Sequence, residues 1–317
     1  MARLGEGQII EILQERMAGQ RRAHEDVQVF GRGPHSVAVA IDTLVQSTDV
    51  PPGMKMSEVS GKAVSACISD FAAKGIRPEF GVISVTVPKR LSKRQVVEMA
   101  AGFQRTSREF GVRILGGDTN GGEELSISVA LYGTASKIIP RKGARAGDRI
   151  FVTGSFGNAA AGLQLLLNGK KSGRVRLDAK HRNAFCNPRP RLEFGIRAGR
   201  YISSAMDSSD GLAKTLNEMS KQSGKKFVLT RLPYEESLEV FAEKNGMSVE
   251  DLVLYGGEEY ETVFTVQKNN ISKVKSIAKR NGCGMIEIGL VEGGRGVRLQ
   301  AGGKSKKIPD NGWSHLG

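Results

Sequence analysis

Apolar positions recur along this chain at two periods, and the switches between them mark out its elements. Residues 8–18 place Ile9, Ile10, Ile12, Leu13 and Met17 at helical spacing, which predicts a short amphipathic helix. Residues 27–30 and 37–42 read as strands, and residues 57–75 as a helix with small residues on one face that stops at Gly75. Val82 to Val87 is a β-branched strand stopped by Pro88. A helix follows from Ser92 to Phe110, with Gly111 as its stop. Val112 to Leu115 predicts a strand that runs into a Gly116-Gly117-Asp118 turn, and Leu125 to Tyr132 alternates like a half-buried strand.

The second half opens on a strand, Arg149 to Thr153, then a glycine-containing turn and a helix through Leu167. That turn lacks the Lys-Ser/Thr pair of a nucleotide loop, so it reads as a plain strand–turn–helix connection. Asn187-Pro188-Arg189-Pro190 is a rigid extended piece before a helix from about Leu192. The apolar segment Tyr201 to Met206 gives way at Asp207-Ser208-Ser209-Asp210-Gly211 to a helical pattern from Leu212. Gly256-Gly257-Glu258-Glu259-Tyr260 precedes another apolar strand, and the chain closes on strand patterns with a glycine-rich hairpin. This interleaving predicts an α/β (α+β) fold with helices on one face of a sheet. The basic segment Lys137 to Gly147, broken by Pro140, is the best boundary, giving domains 1–138 and 139–317.

Composition narrows the chemistry. Lysine and arginine exceed aspartate and glutamate by 47 to 33, a net charge of +14. Such a balance suits nucleic acid or an anionic small substrate. The basic groups are spread along the chain, and aromatics are only 6% of residues, which argues against a base-stacking platform. Cys67, Cys186 and Cys283 lack metal spacing and fit a reducing cytoplasm. His24, His35, His181 and His315 are dispersed and read as structural. No apolar run reaches the roughly 20 residues that span a membrane, and the first residues lack a signal-peptide core.

The candidate chemistry lies in the aspartates. Asp207 and Asp210 stand at a strand-to-helix turn, where backbone N–H groups are free. Glu25-Asp26, Asp42 after Val37 to Ile41, Asp70 within an apolar helical stretch, and Asp118 repeat the theme. Unpaired carboxylates on apolar elements are costly, so a shared cation is implied, and Mg²⁺ is the natural one where substrates carry phosphates. Taken singly, each could equally be structural, as an Asp-Ser turn that merely caps a helix would be.

Seven motifs then occur in order: Leu4-Gly5-Glu6, Asp42-Thr43-Leu44-Val45, Lys62-Ala63 through Ser69-Asp70, Gly116-Gly117-Asp118-Thr119, Gly143 to Asp148, Met206-Asp207 to Leu212, and Gly256 to Glu261. Over nearly the whole chain this resembles the thiamine-monophosphate kinases of the aminoimidazole ribonucleotide synthetase superfamily. The resemblance implies an N-terminal sheet that pairs with that of a second subunit, a C-terminal α/β domain, and ATP in the cleft between them. It implies transfer of the γ-phosphoryl of ATP to thiamine monophosphate. By it, Asp26, Asp42, Asp70, Asp118, Asp207 and Asp210 would hold Mg²⁺. Gly117, Asp118, Arg141 and Ser209 would contact ATP, and Glu258 and Trp313 would line the thiamine pocket. No general base is implied, because the acceptor phosphate is itself nucleophilic.

The sequence departs from the family pattern at several points. Its N-terminal Gly-Asp-Asp is His24-Glu25-Asp26, a Ser/Thr pair is Ala40-Ile41, and a histidine near the substrate aligns with Asp49. An Asp-Tyr is Glu259-Tyr260, and the aromatic near the adenine is missing around Met99 to Ala101. The alternatives are a superfamily enzyme with another phosphoryl acceptor, or a basic nucleic-acid-binding paralogue that has lost catalysis.

Overall fold

A computed structural model of the chain describes residues 5–18, 25–31, 36–135 and 137–313. Leu4, His24, His35 and His315, named above, lie outside the described residues. The first half contains α1 (Glu6–Ala18), β1 (Gln28–Phe30), β2 (Ser36–Val45), α2 (Gln46–Asp49), α3 (Met56–Lys74), β3 (Phe80–Pro88), α4 (Lys93–Glu109), β4 (Arg113–Gly122) and β5 (Ser126–Ala135). Its strands form one sheet in the order β1-β2-β5-β3-β4. All neighbours run antiparallel except β3 and β4, which are parallel and joined through α4.

One face of this sheet is a core. Ala38, Ala40 and Leu44 of β2, Ile83 and Val85 of β3, and Ile127, Val129 and Leu131 of β5 pack against Val59, Ala63, Val64, Cys67, Ile68 and Phe71 of α3. The other face is open, with Ile41 69% and Leu115 59% exposed. Helices therefore lie on one face, as the pattern implies.

The second half contains β6 (Arg149–Val152), α5 (Asn158–Asn168), α6 (Val175–Cys186), α7 (Leu192–Ala198), β7 (Ile202–Ser208), α8 (Leu212–Ser223), β8 (Lys226–Leu229), α9 (Glu236–Asn245), α10 (Val249–Leu254), β9 (Glu261–Val266), α11 (Ile271–Arg280), β10 (Ile286–Glu292), β11 (Gly296–Ala301) and β12 (Lys304–Lys307). These strands form a second sheet in the order β12-β11-β8-β10-β6-β9-β7. The final hairpin joins β11 to β12 through Gly302 and Gly303, both at positive φ.

Helix α3 links the two halves. It touches β2 and β5 of the first sheet, β7 and β9 of the second, and α7. Because it is covered all round, small residues occupy most of its length, and charges on it must find partners inside. Gly75, at φ 68, ends it in the left-handed cap that glycine favours.

Two local expectations are corrected. Asp42 does not end its strand, because β2 runs on to Val45 in register with β5. Asp118 does not stand at a turn either: Gly116, Gly117 and Asp118 lie within β4. Glycine is needed at 117 for a different reason, since a Cβ there would fall 1.6 Å from the Ile83 carbonyl oxygen of the adjacent strand.

Candidate active site

Three elements bring three carboxylates to one place. Asp26 lies just before β1, Asp70 on α3, and Asp207 near the end of β7, which α3 crosses. One oxygen from each lies within 4.8 Å of the others. Ser69 Oγ donates to Asp207 Oδ2 at 3.1 Å. Burial, with Asp26 adding to it, pushes the Asp207 carboxyl up to about 7, against the pull of Arg141 and Ser69. Asp70 is also raised well above the usual carboxylate range by burial, then by Asp207, Asp26 and Asp42. Two neighbouring carboxylates that both resist ionisation mark a place where a cation is wanted.

Asp42 belongs to the same acidic wall. In β2 it continues the inward series Ala38, Ala40, Leu44, so its side chain is on the α3 side. Burial raises it to about 6, with Glu258, Asp49 and Asp210 contributing, against a hydrogen bond from the Thr43 amide at 2.8 Å.

Asp42, Asp70 and Asp207 open on a cleft of ≈ 510 Å³, and Asp26 lies buried behind them. Asp42, Asp70, Asp207, Ser209, Asp210 and Glu258 form its polar side. Leu163, Phe185, Met247, Leu252, Tyr255 and Trp313 form an apolar side. Asp210 is tied down locally: Lys214 Nζ donates to its Oδ2 at 2.7 Å and to the Trp313 carbonyl at 2.9 Å. The Trp313 amide donates to the Asp210 carbonyl at 3.0 Å, which seats the indole at the cleft.

Glu258 reaches the cleft from a strained segment. Glu258 and Tyr260 have φ of 70° and 52°, the two non-glycine positive values among the described residues. Their amides donate to Ser209 and Ser208 carbonyls at 2.6 and 2.9 Å, which pins the segment to the end of β7.

Not every candidate gathers here. Gly117 and Asp118 are exposed on the edge strand β4 and do not line the cleft. Asp118 accepts from Asn120 Nδ2 at 2.7 Å. The register runs Asp42, Val129, Ile83, Gly117 across four strands, so they sit about 14 Å from Asp42 at the usual strand spacing. Arg141 is not in the cleft lining; its Nε donates to Asp26 Oδ1 at 2.7 Å and its Nη2 contacts the same oxygen.

Two lysines that sequence reasoning did not assign are also here. Lys62 on α3, 2% exposed, pairs with Glu258 at 2.9 Å and sits over the Phe185 ring at 3.7 Å. Lys74 at the end of α3 contacts Asp26. For Lys62 the signal was available: a lysine within an otherwise small and apolar helix is as costly as Asp70. Glu259, where the family pattern has Asp, turns away from the chemistry. It accepts from the Ala159 amide at 3.0 Å at the start of α5, and burial raises it to about 8. Asp49 accepts from the Val45 amide at 2.6 Å and lines the cleft.

Comparison with known proteins bears on the family and the fold. Residues 24–135 match the N-terminal domain of AIR synthase related proteins and residues 145–302 match their C-terminal domain. A thiamine-monophosphate kinase of Nitrosopumilus maritimus is 46% identical over 316 residues, covering 100% of both chains. Another from Pyrococcus horikoshii is 33% identical, covering 88% of this chain and 85% of its own. The solved structure of AaThiL complexed with AMPPCP and TMP superposes with a TM-score of 0.88 at 28% identity, covering 99% of each chain. The chain belongs to the AIR synthase related proteins and, within them, to the thiamine-monophosphate kinase family. Among the described residues no helix is long and apolar enough to cross a membrane.

Proposed function

We propose that this protein transfers the γ-phosphoryl group of ATP to the phosphate of thiamine monophosphate, yielding thiamine diphosphate and ADP. The observation that carries the reading is the convergence of Asp26, Asp70 and Asp207 within 4.8 Å, with Asp70 and Asp207 lining a cleft that has one acidic and one apolar side. An acidic wall repels two phosphate-bearing reactants unless cations lie between. The donor set, carboxylates only, suits Mg²⁺. When bound, Mg²⁺ would neutralise the phosphates and spread charge on the transferring group.

The chain's own residues supply the rest. Asp42, Asp70 and Asp207, with Asp26 behind them, would hold the metal, and Asp210 a further ion. Ser209, at the end of β7, would meet the nucleotide. A phosphate monoester has its second pKa near 6 and needs no base to attack at neutral pH. Glu258 and Trp313 would orient the acceptor, whose rings suit the apolar side lined by Phe185 and Tyr255. The cleft would lie between domains 1–138 and 139–317.

Gly117 and Asp118 sit outside the cleft of their own chain, so the nucleotide contacts assigned to them are ones that a second copy would make. The exposed apolar face that carries Ile41 and Leu115 supports a homodimer that would bring the two chains together there. Its three free cysteines, two of them buried, suit a cytoplasmic enzyme.

The test is an assay with ATP, Mg²⁺ and a panel of phosphate acceptors. Thiamine monophosphate should give ADP and thiamine diphosphate in equal amounts. ADP formation with another acceptor and none with thiamine monophosphate would overturn the reading.

A further inference from the structure

Lys74 closes α3 with its side chain fully buried, 0% exposed. Its Nζ lies 2.7 Å from Asp26 Oδ2 and 2.7 Å from Glu25 Oε2, and it donates to the Ala205 carbonyl at 2.9 Å. The Ala205 carbonyl accepts a hydrogen bond, and the two carboxylate oxygens lie at ion-pair distance. Two carboxylate oxygens and one backbone carbonyl around a single point are also the donor set of a hard divalent cation. The opposite oxygen of Asp26 is taken by Arg141. Asp26 therefore faces a cation of the chain itself on both sides. Asp70 has no contacting cation among the described residues, and Asp207 is held by the Ser69 hydroxyl.

We propose that the Lys74 ammonium stands in for one divalent cation that this carboxylate cluster would otherwise recruit, and leaves Asp70 and Asp207 as the metal-taking side. Ala205 lies on β7 two residues before Asp207, so the same ammonium also fixes that strand against α3. Lys74 is thus a positioning residue whose charge sets how many metal ions the site holds. This rests on the metal-assisted kinase reading above.

The variant Lys74→Met empties the oxygen cage and keeps a long apolar stem. Mn²⁺ bound per chain is counted by electron paramagnetic resonance of the free ion, with AMPPCP saturating, in wild type and variant. The expected result is one more tightly bound Mn²⁺ per chain in Lys74→Met, and a larger rise in melting temperature on adding Mn²⁺ than wild type shows. Equal numbers in two folded proteins overturn the proposal while leaving the kinase reading intact. No Mn²⁺ bound by wild type overturns both. Where Lys74→Met is unfolded in metal-free buffer, Mn²⁺ should restore the fold, since the ion replaces the missing charge. Failure of millimolar Mn²⁺ to do so also overturns the proposal.

Discussion

Lys62 Nζ lies 2.9 Å from Glu258 Oε1 and 3.7 Å from the centroid of the Phe185 ring. The three groups come from α3, from the loop before β9, and from α6, so one ammonium ties the first half of the chain to two parts of the second. Removing one partner of a fully buried ion pair costs roughly 3–5 kcal/mol. Glu258 keeps some solvent contact, with 23% of its side chain exposed, so the cost should be lower. Lys62→Met is expected to lose about 2 kcal/mol in urea unfolding. A loss under about 0.5 kcal/mol would show that the pair contributes little to joining the halves.

The acidic wall makes stability depend on pH with a definite sign. Asp207 and Asp42 are raised by burial to about 7 and about 6, above their ordinary 3.8. Between the ordinary and raised values the folded chain holds more protons than the unfolded one, so metal-free stability falls as pH rises. The melting temperature without metal should drop from pH 5 to pH 8. Asp207→Asn should flatten that drop and raise the melting temperature at pH 8. Mg²⁺ should reverse the trend, because it binds the ionised carboxylates. On the proposed reading, in which Asp207 would hold the metal, the same variant should lower turnover by about a hundredfold or more. A metal-free protein equally stable at pH 5 and 8 would contradict the electrostatics.

Legibility in sequence followed whether a residue's cost is local. Asp207 could be read because a strand, two serines and Gly211 at φ 108 announce a strand-to-helix switch. Asp70 could be read because a carboxylate interrupts an apolar helix. Lys74 could not, since a lysine in the last turn of a helix ordinarily complements its dipole at the surface. Only the packing of α3 between two sheets buries it. Gly116-Gly117 misled for a related reason. Glycine pairs signal turns, but here the demand comes from the neighbouring strand, which no local pattern reveals. Helices α6, α9 and α10 have no counterpart among the elements that the sequence pattern predicts.

Gly195 shows the same kind of long-range demand at the junction of α3 and α7. A Cβ there would fall 1.9 Å from the Ala72 carbonyl oxygen, which is backbone and cannot swing aside. Gly195→Ala must push α7 off α3. Overpacking of this type costs about 1–3 kcal/mol. The variant should melt lower, and its turnover should fall because α3 carries both Asp70 and Lys62. A melting temperature equal to wild type would mean that the two helices separate freely.

Glu259 offers the opposite case, a buried acid whose charge does nothing useful. Its carboxyl accepts from the Ala159 amide at 3.0 Å, and burial raises it to about 8. A protonated acid still accepts through its carbonyl oxygen, as a glutamine amide does. At pH 4, below the ordinary 4.5, the group is largely protonated in both folded and unfolded chains, so Glu259→Gln should match wild type within about 0.5 kcal/mol. Between its ordinary 4.5 and the raised value near 8 the folded chain holds this proton and the unfolded chain does not, so wild-type stability falls across that window and levels off above it. The variant has no proton to lose, so at pH 9 it should melt higher than wild type. Turnover with thiamine monophosphate should be unchanged, because Glu259 points at the start of α5 and not at the aspartates. A variant less stable than wild type at pH 9 would mean that the ionised carboxylate is favoured there, and that its place at the helix start is a charge-assisted cap.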